Sequence, residues 1–223
     1  MKTRHLFAMF IQLVVLQACS SGYMSHTISS PGLQKKGDLS LSGQIGSAGL
    51  SFQSAIAPAK HLGIMFNASL FQQGDFIFDS DRESGNMLEF GAGYFKQQNK
   101  HMYWSTYAGI GSGSYYHSHK DPGEARYYGS VNTLQFFVQP SAGLRYRHIE
   151  GDLTLRLSAM RIKGSSRDIT INRFYPLIDP ALTLRVGGKI KFVAQFGTSF
   201  YLNQSSFVTP FGSLGLQVRV GPK

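Results

Sequence analysis

Residues 133–147, TLQFFVQPSAGLRYR, alternate between two kinds of side chain. Every second position from Leu134 to Tyr146 is apolar, whereas the intervening positions are mostly polar or small. A period of two is typical of a β-strand and not of a helix. The stretch is longer than an average globular strand, and it is long enough to cross a bilayer when tilted.

The same alternation recurs along the chain from Leu39 to Val220 and predicts ten strands. Short turns near residues 59, 99, 149 and 188 alternate with longer loops, for which we expect the ranges 74–86, 117–128 and 163–178 and a loop near 204. Short periplasmic turns and long outer loops are typical of bacterial outer-membrane barrels. The predicted fold is all-β, a single antiparallel up-and-down membrane β-barrel over residues 37–223. Eight strands is the alternative if the Leu39–Ile45 segment lies outside the sheet.

Alternation alone does not say which face points inward. The polar face carries Ser, Gln, Gly, Thr and a few Arg, with Glu89 as its one clear strand carboxylate. Small polar side chains suit the crowded lumen of a narrow barrel, so we expect the apolar face to contact lipid. The rival interpretation is a soluble periplasmic, lipocalin-like ligand-binding lipoprotein with the apolar face inside.

Composition favours the membrane interpretation. Charged residues make up 15% of the chain, against about 25% in soluble domains, while Gly is abundant and aromatic residues reach 13%. Removing two positive charges, Lys2 and Arg4, from the formal +10 leaves +8. We expect no nucleic-acid partner, because the first residues predict export.

Residues 1–18 have the layout of a signal peptide. Lys2 and Arg4 form a basic start, and an apolar run from Leu6 to Leu16 follows that is too short to span a bilayer permanently. The sequence Leu16-Gln17-Ala18-Cys19 then resembles the lipobox of bacterial lipoproteins, with the only Cys of the chain at its last position.

That resemblance implies cleavage before Cys19 and acylation of this residue. Three acyl chains are more than stable anchoring requires. We therefore expect the protein in the bacterial outer membrane, anchored through Cys19 with its amino terminus on the periplasmic side. Residues 19–36 are Ser-rich, contain Pro31-Gly32 and show no periodicity, so they predict a flexible tether.

The lipobox followed by residues 50–70, LSFQSAIAPAKHLGIMFNASL, also resembles the small lipoprotein-type outer-membrane barrels of Bacteroidetes. This resemblance implies a barrel fold and brings no catalytic motif.

Basic side chains recur on the polar strand faces. The predicted lumen cluster consists of Arg145, Arg147, Arg156, Arg185, Lys191 and Arg219. It would either favour anions or plug the barrel through hydrogen bonds to Glu89, tyrosine hydroxyls and backbone.

Residues 117–121 have an H-x-H-x-D pattern in which His117, His119 and Asp121 are weak candidates for metal ligands. The two histidines with a loop Ser and Asp121 or Glu124 are also the weak basis of an enzyme alternative, a lipid hydrolase or acyltransferase. We predict no enzyme and no cofactor, since no nucleophile, dinucleotide or phosphate-loop motif occurs.

Loop bases are suited to the phosphates of lipopolysaccharide; they are Arg82, Lys120, Arg126, Lys163, Arg167 and Arg173. The leading hypothesis is a lipid-anchored outer-membrane barrel with a structural, adhesive or binding role. Its alternatives are a small anion-favouring pore, a surface lipid-modifying enzyme and the soluble lipoprotein. The sequence indicates no oligomeric state.

Overall fold

A computed structural model of the protein describes residues 27–47, 49–74, 81–119, 127–166, 169–202 and 208–221. The strands in this part of the chain are β1 Leu39–Gly46, β2 Gly49–Ala59, β3 Leu62–Gly74, β4 Asp81–Gln97, β5 Met102–His119, β6 Tyr127–Tyr146, β7 Ile149–Ser166, β8 Ile169–Gly187, β9 Ile190–Tyr201 and β10 Val208–Val220. Among the described residues, no helix is long and apolar enough to cross a membrane.

The ten strands form one closed antiparallel barrel. Each strand pairs with its neighbour in sequence, and β1 closes the barrel against β10 in a register that runs from Leu39 opposite Val220 to Gly46 opposite Ser213. The predicted fold class and the count of ten are confirmed. The Leu39–Ile45 segment lies within β1, so the eight-strand alternative is wrong.

The apolar face of the strands points outward, as the small polar residues of the opposite face led us to expect. Leu144 and Leu216 keep 61% and 57% of their surface exposed, while Ser42, Gln44 and Gln139 on the other face are buried. A soluble container would reverse this arrangement. A continuous exposed apolar surface on every strand is typical of a barrel that contacts lipid.

Strands β4 to β8 are longer than a membrane crossing requires. They contain 17 to 20 residues, whereas about 9 to 11 suffice. Because the turns at residues 60–61, 147–148 and 188–189 are short, neighbouring strands end level at that side of the barrel. The extra length therefore extends from the opposite end, which is the outer end if short turns are periplasmic.

The predicted long loops were too long, for a physical reason. Strand pairing continues from Gly74 opposite Arg82 and from Lys163 opposite Asn172, within segments that we expected to be loops. Beyond the bilayer the outward positions face water, so the apolar alternation ends while the backbone ladder continues. The turn predicted near residue 149 lies slightly earlier, at 147–148, because β7 begins at Ile149.

The interior is filled by both apolar and polar or charged side chains. Met65, Phe95, Tyr107 and Phe137 form a buried apolar cluster inside the barrel. Gly63 and Gly109 leave the space that the rings of Tyr107 and Phe137 occupy, because a Cβ at either glycine would collide with a ring.

Candidate functional site

Residues 27–34, here called the lumen segment, lie inside the barrel. Thr27, Ile28, Ser29, Ser30 and Leu33 are all at most 4% exposed. The segment joins β1 at the end with the short turns, where the backbone of Gly37 donates to the carbonyl of Ala57 over 2.8 Å. Gln34 therefore lies at that end, and Thr27 lies deeper in the lumen, against Gln53 in the middle of β2.

Glutamine side chains of three strands hold the backbone of the lumen segment. Gln195 of β9 accepts from the Ile28 N–H over 2.9 Å and donates to the Ile28 carbonyl over 2.7 Å. Gln53 of β2 donates to the Thr27 hydroxyl over 3.1 Å, and Gln139 of β6 donates to the Ser29 carbonyl. The bonds from Gln195 and Gln139 satisfy polar backbone groups that would otherwise be buried without partners.

Arginines hold the lower part of the same segment. Arg185 donates to the Ser30 carbonyl, and Arg145 donates to the Gly32 carbonyl over 3.3 Å. Gly32 has a φ of +60°, and a Cβ there would come within 2.8 Å of an Arg219 nitrogen. The left-handed backbone conformation favours glycine at this position.

The predicted tether differs from the structure over residues 27–34. Absence of periodicity led us to expect flexible chain outside the barrel, but this part is packed in the lumen. The hydrogen-bond partners of the lumen segment lie on strands far away in sequence, so no local sequence pattern predicts these contacts. Residues 19–26, including Cys19, lie outside the described residues.

A balanced ion pair occupies the centre of the lumen. Arg156 Nη1 donates to Glu89 Oε1 over 2.6 Å, and neither side chain is more than 1% exposed. Gln139 accepts from Arg156 Nη2 over 2.7 Å, Asn67 donates to Glu89 over 2.9 Å, and the guanidinium lies 4.4 Å from the ring centroid of Phe137. The cation and the carboxylate are therefore paired directly, and the buried Asp179 lies opposite Arg156 in the β7–β8 ladder.

A second ion pair lies nearer the short turns. Arg185 donates to Asp152, and Tyr103 donates to the same carboxylate over 3.1 Å. Because Arg185 also holds Ser30, this pair connects the strands to the lumen segment.

At the end with the short turns, three cations share one carboxylate. Glu150 is 1% exposed and accepts from Arg145 and Lys191; it also accepts from Arg219 through two bonds of 3.1 Å each. These four residues are here called the mouth cluster. The cluster carries two positive charges more than it neutralises.

The mouth cluster borders an open depression with a volume of about 360 Å³. Among the described residues, Lys35, Arg147 and Lys189 add three more cations to its lining, and Asp38 adds one other carboxylate. Asp38 already accepts from the backbone N–H groups of Gln34 and Lys35 over 2.8 and 3.1 Å. The lining thus has six cationic side chains and two carboxylates.

Five of the six residues in the predicted lumen cluster lie inside the barrel: Arg145, Arg156, Arg185, Lys191 and Arg219. Arg147 does not. It is exposed in the turn at 147–148 with a φ of +51°, and its guanidinium lies 5.4 Å from the ring centroid of Tyr146. The strand reverses at this residue, so the alternation that placed Arg147 on the lumen face no longer applies.

Three lumen carboxylates escaped the sequence reasoning. Glu150 was assigned to the turn near residue 149, and Asp152 and Asp179 were assigned to no strand face, yet all three are buried on the inner face. Continuing the alternation of β7 backward from Thr154 would have found the first two.

The backbone of His117 and His119 belongs to β5, but their side chains, and Asp121 and Glu124 altogether, lie outside what the structure describes. Within the described part of the chain, no group of three or more metal-ligating side chains occurs. The metal and hydrolase hypotheses on these residues stay predictions.

No protein-family model and no curated protein matches the sequence. Among solved structures, the fold is similar to that of the outer-membrane protease OmpT from Escherichia coli, with a TM-score of 0.58 and 9% identity over 87% of this chain and 99% of that one. The translocator domain of the autotransporter NalP from Neisseria meningitidis has a TM-score of 0.46 and 10% identity, over 81% and 86% of the two chains. Ail from Yersinia pestis has 0.39 and 13%, over 83% and 99%.

The chain therefore has the fold of outer-membrane β-barrels. Within that class it is a ten-stranded barrel whose lumen contains its own lumen segment.

Proposed function

We propose that this protein is a lipid-anchored barrel of the bacterial outer membrane with a closed lumen and a structural, adhesive or binding role, and that it is not an enzyme. The observation that carries the proposal is the lumen segment, which is held by side chains of four strands. A pore needs a continuous water path, whereas this path is occupied by buried protein. The lipid anchor rests on the lipobox-like Leu16–Cys19.

Conductance in planar bilayers tests the closed lumen. We expect the purified protein to give no discrete channels. Reproducible single-channel events from the wild-type protein would support the anion-favouring pore instead. A protein sample inactivated by boiling serves as the control for detergent leakage.

The anchor and the enzyme alternative have separate tests. We expect labelled palmitate to be incorporated into the wild-type protein and not into Cys19→Ser. In cells that overexpress the protein, we expect an unchanged lipid A profile by mass spectrometry. A new or shortened acyl chain would contradict the non-catalytic role.

A contact with lipopolysaccharide phosphates is proposed at the outer end of β7. Arg161 and Lys163 are exposed on the outward side, and Phe174, opposite Arg161 in the ladder, is 58% exposed. Cations beside an apolar belt suit a phosphate attached to acyl chains. Lipopolysaccharide retained by the wild type and lost by Arg161→Gln/Lys163→Gln would support the contact, while equal retention would contradict it.

A further inference from the structure

We infer that the depression at the short-turn end of the barrel is a binding site for a multiply charged oxyanion, of the phosphate class. This inference goes beyond the proposed closed barrel, because it assigns a ligand to a site that the closed lumen does not need.

The mouth cluster has a surplus of positive charge. Arg145, Lys191 and Arg219 surround a single Glu150 whose two oxygens already accept all the bonds described above. The side chains of Lys191 and Arg219 are more than nine-tenths buried, with 8% and 9% of their surface exposed. Buried charge is unfavourable unless it is paired. An arriving anion would neutralise the surplus.

One N–H group of Arg219 is available to donate a hydrogen bond to an anion. The Nε of Arg219 is buried and has no hydrogen-bond partner among the described residues. Buried polar groups normally have partners, and an exception calls for an explanation such as an absent ion. Arginine also presents its N–H groups in the fork geometry that matches a phosphate.

The depression is large enough for a small ligand and is open to solvent. The depression has a volume of about 360 Å³, within the range of roughly 300–1,000 Å³ that is typical of small-ligand sites. Arg147 and Lys189, in two different turns, are exposed at its border. They extend the positive surface from the buried cluster to solvent, where it can attract an anion over about a Debye length.

Two sources could supply this chemistry: a soluble phosphorylated molecule of the periplasm, or the headgroup of an anionic phospholipid in the adjoining leaflet. Inorganic pyrophosphate is the probe for the first source. Phosphatidylglycerol in mixed bilayers with phosphatidylcholine is the probe for the second.

The experiment uses the full-length protein in zwitterionic detergent at low ionic strength, with pyrophosphate titrated by calorimetry. Arg219→Gln removes the unpartnered donor but leaves Arg145 and Lys191 on Glu150, so the fold has its ion pairs. We expect it to weaken binding about tenfold or more, as for loss of a charge-assisted hydrogen bond. We expect a few-fold loss for Arg147→Gln/Lys189→Gln, which alters only exposed turn residues.

Lys60→Gln/Lys100→Gln is the matched control, because both lysines are exposed in turns at the same end and neither lines the depression. We expect less than a twofold change. An equal loss in this control would overturn the site, since binding would then follow net charge alone.

The lipid arm measures phosphatidylglycerol retained by the protein in native mass spectrometry. Retention by the wild type and loss in Arg219→Gln, without pyrophosphate binding, would assign the site to a headgroup. Saturable pyrophosphate binding with unselective lipid retention would assign it to a soluble ligand. If neither probe binds the wild type, the inference is wrong and the surplus cations are solvated by water.

Discussion

The centre of the lumen and its mouth use the same residue types in opposite ways. At the centre, Arg156 pairs with Glu89, both side chains are at most 1% exposed, Gln139 and Asn67 bond to them, and the buried Asp179 lies opposite Arg156 in the ladder. At the mouth, three cations surround Glu150 beside an open depression. The comparison teaches that a basic lumen cluster is not one functional unit: its inner part holds the barrel together, and its outer part has charge left for a ligand.

The largest effect should come from breaking the central pair. Glu89→Gln removes the carboxylate that accepts from Arg156 over 2.6 Å, and the loss of one partner of a buried ion pair costs about 3–5 kcal/mol of the free energy of unfolding. Urea unfolding in detergent, followed by the fluorescence of Trp104, the only tryptophan, measures the loss. Glu89→Gln/Arg156→Met should recover much of it. A loss below about 1 kcal/mol in the single variant would mean that the pair is not the structural centre.

The next effect tests the connection between the walls and the lumen segment. Gln195→Met removes both bonds to Ile28 and the 2.8 Å bond to Thr183. Because buried backbone groups are left without partners, we expect a loss of about 2–3 kcal/mol. Thermal unfolding by circular dichroism measures it. An unchanged midpoint would show that the segment contributes nothing to stability.

The mouth should be more tolerant than the centre. Glu150→Gln leaves three cations unpaired, but water reaches them through the depression, so we expect a loss of only about 1–2 kcal/mol. Added sulfate should restore part of this loss, whereas it should not restore Glu89→Gln, whose site is closed. Equal rescue of both variants would erase the distinction between the two regions.

The smallest effect is expected outside the lumen. Lys163→Gln changes an exposed side chain on the outward side of β7, so its free energy of unfolding should stay within about 0.5 kcal/mol of the wild type. The same urea titration measures it. A larger loss would show that the lumen is not the main source of polar stabilisation.

The barrel was predictable because lipid enforces a strict pattern. Each membrane-spanning strand must put apolar side chains outward, so the alternation from Leu134 to Tyr146 predicts the strand, while its orientation follows from the small polar residues of the other face and the low content of charged residues. Beyond the bilayer that demand ends, and the outer parts of β7 and β8 around Lys163 and Asn172 could not be told from loops.

The lumen was only partly predictable. Arg156 and Arg185 follow from alternation, but their partners are decided by which strands face each other across the closed barrel. The lumen segment was missed because a chain held by glutamines of other strands needs no pattern of its own. Arg147 was misplaced because one turn residue reverses the direction of the strand.

The lumen segment directly precedes β1, the strand that closes the barrel against β10. Before β1 and β10 pair, the segment can pack from the side against the inner face of the curved, still open sheet. A finished cylinder would instead have to admit it lengthwise, past the arginines that crowd the entrance. We therefore expect the lumen segment to bind Gln195 and Gln139 during assembly before β1 pairs with β10 and closes the barrel.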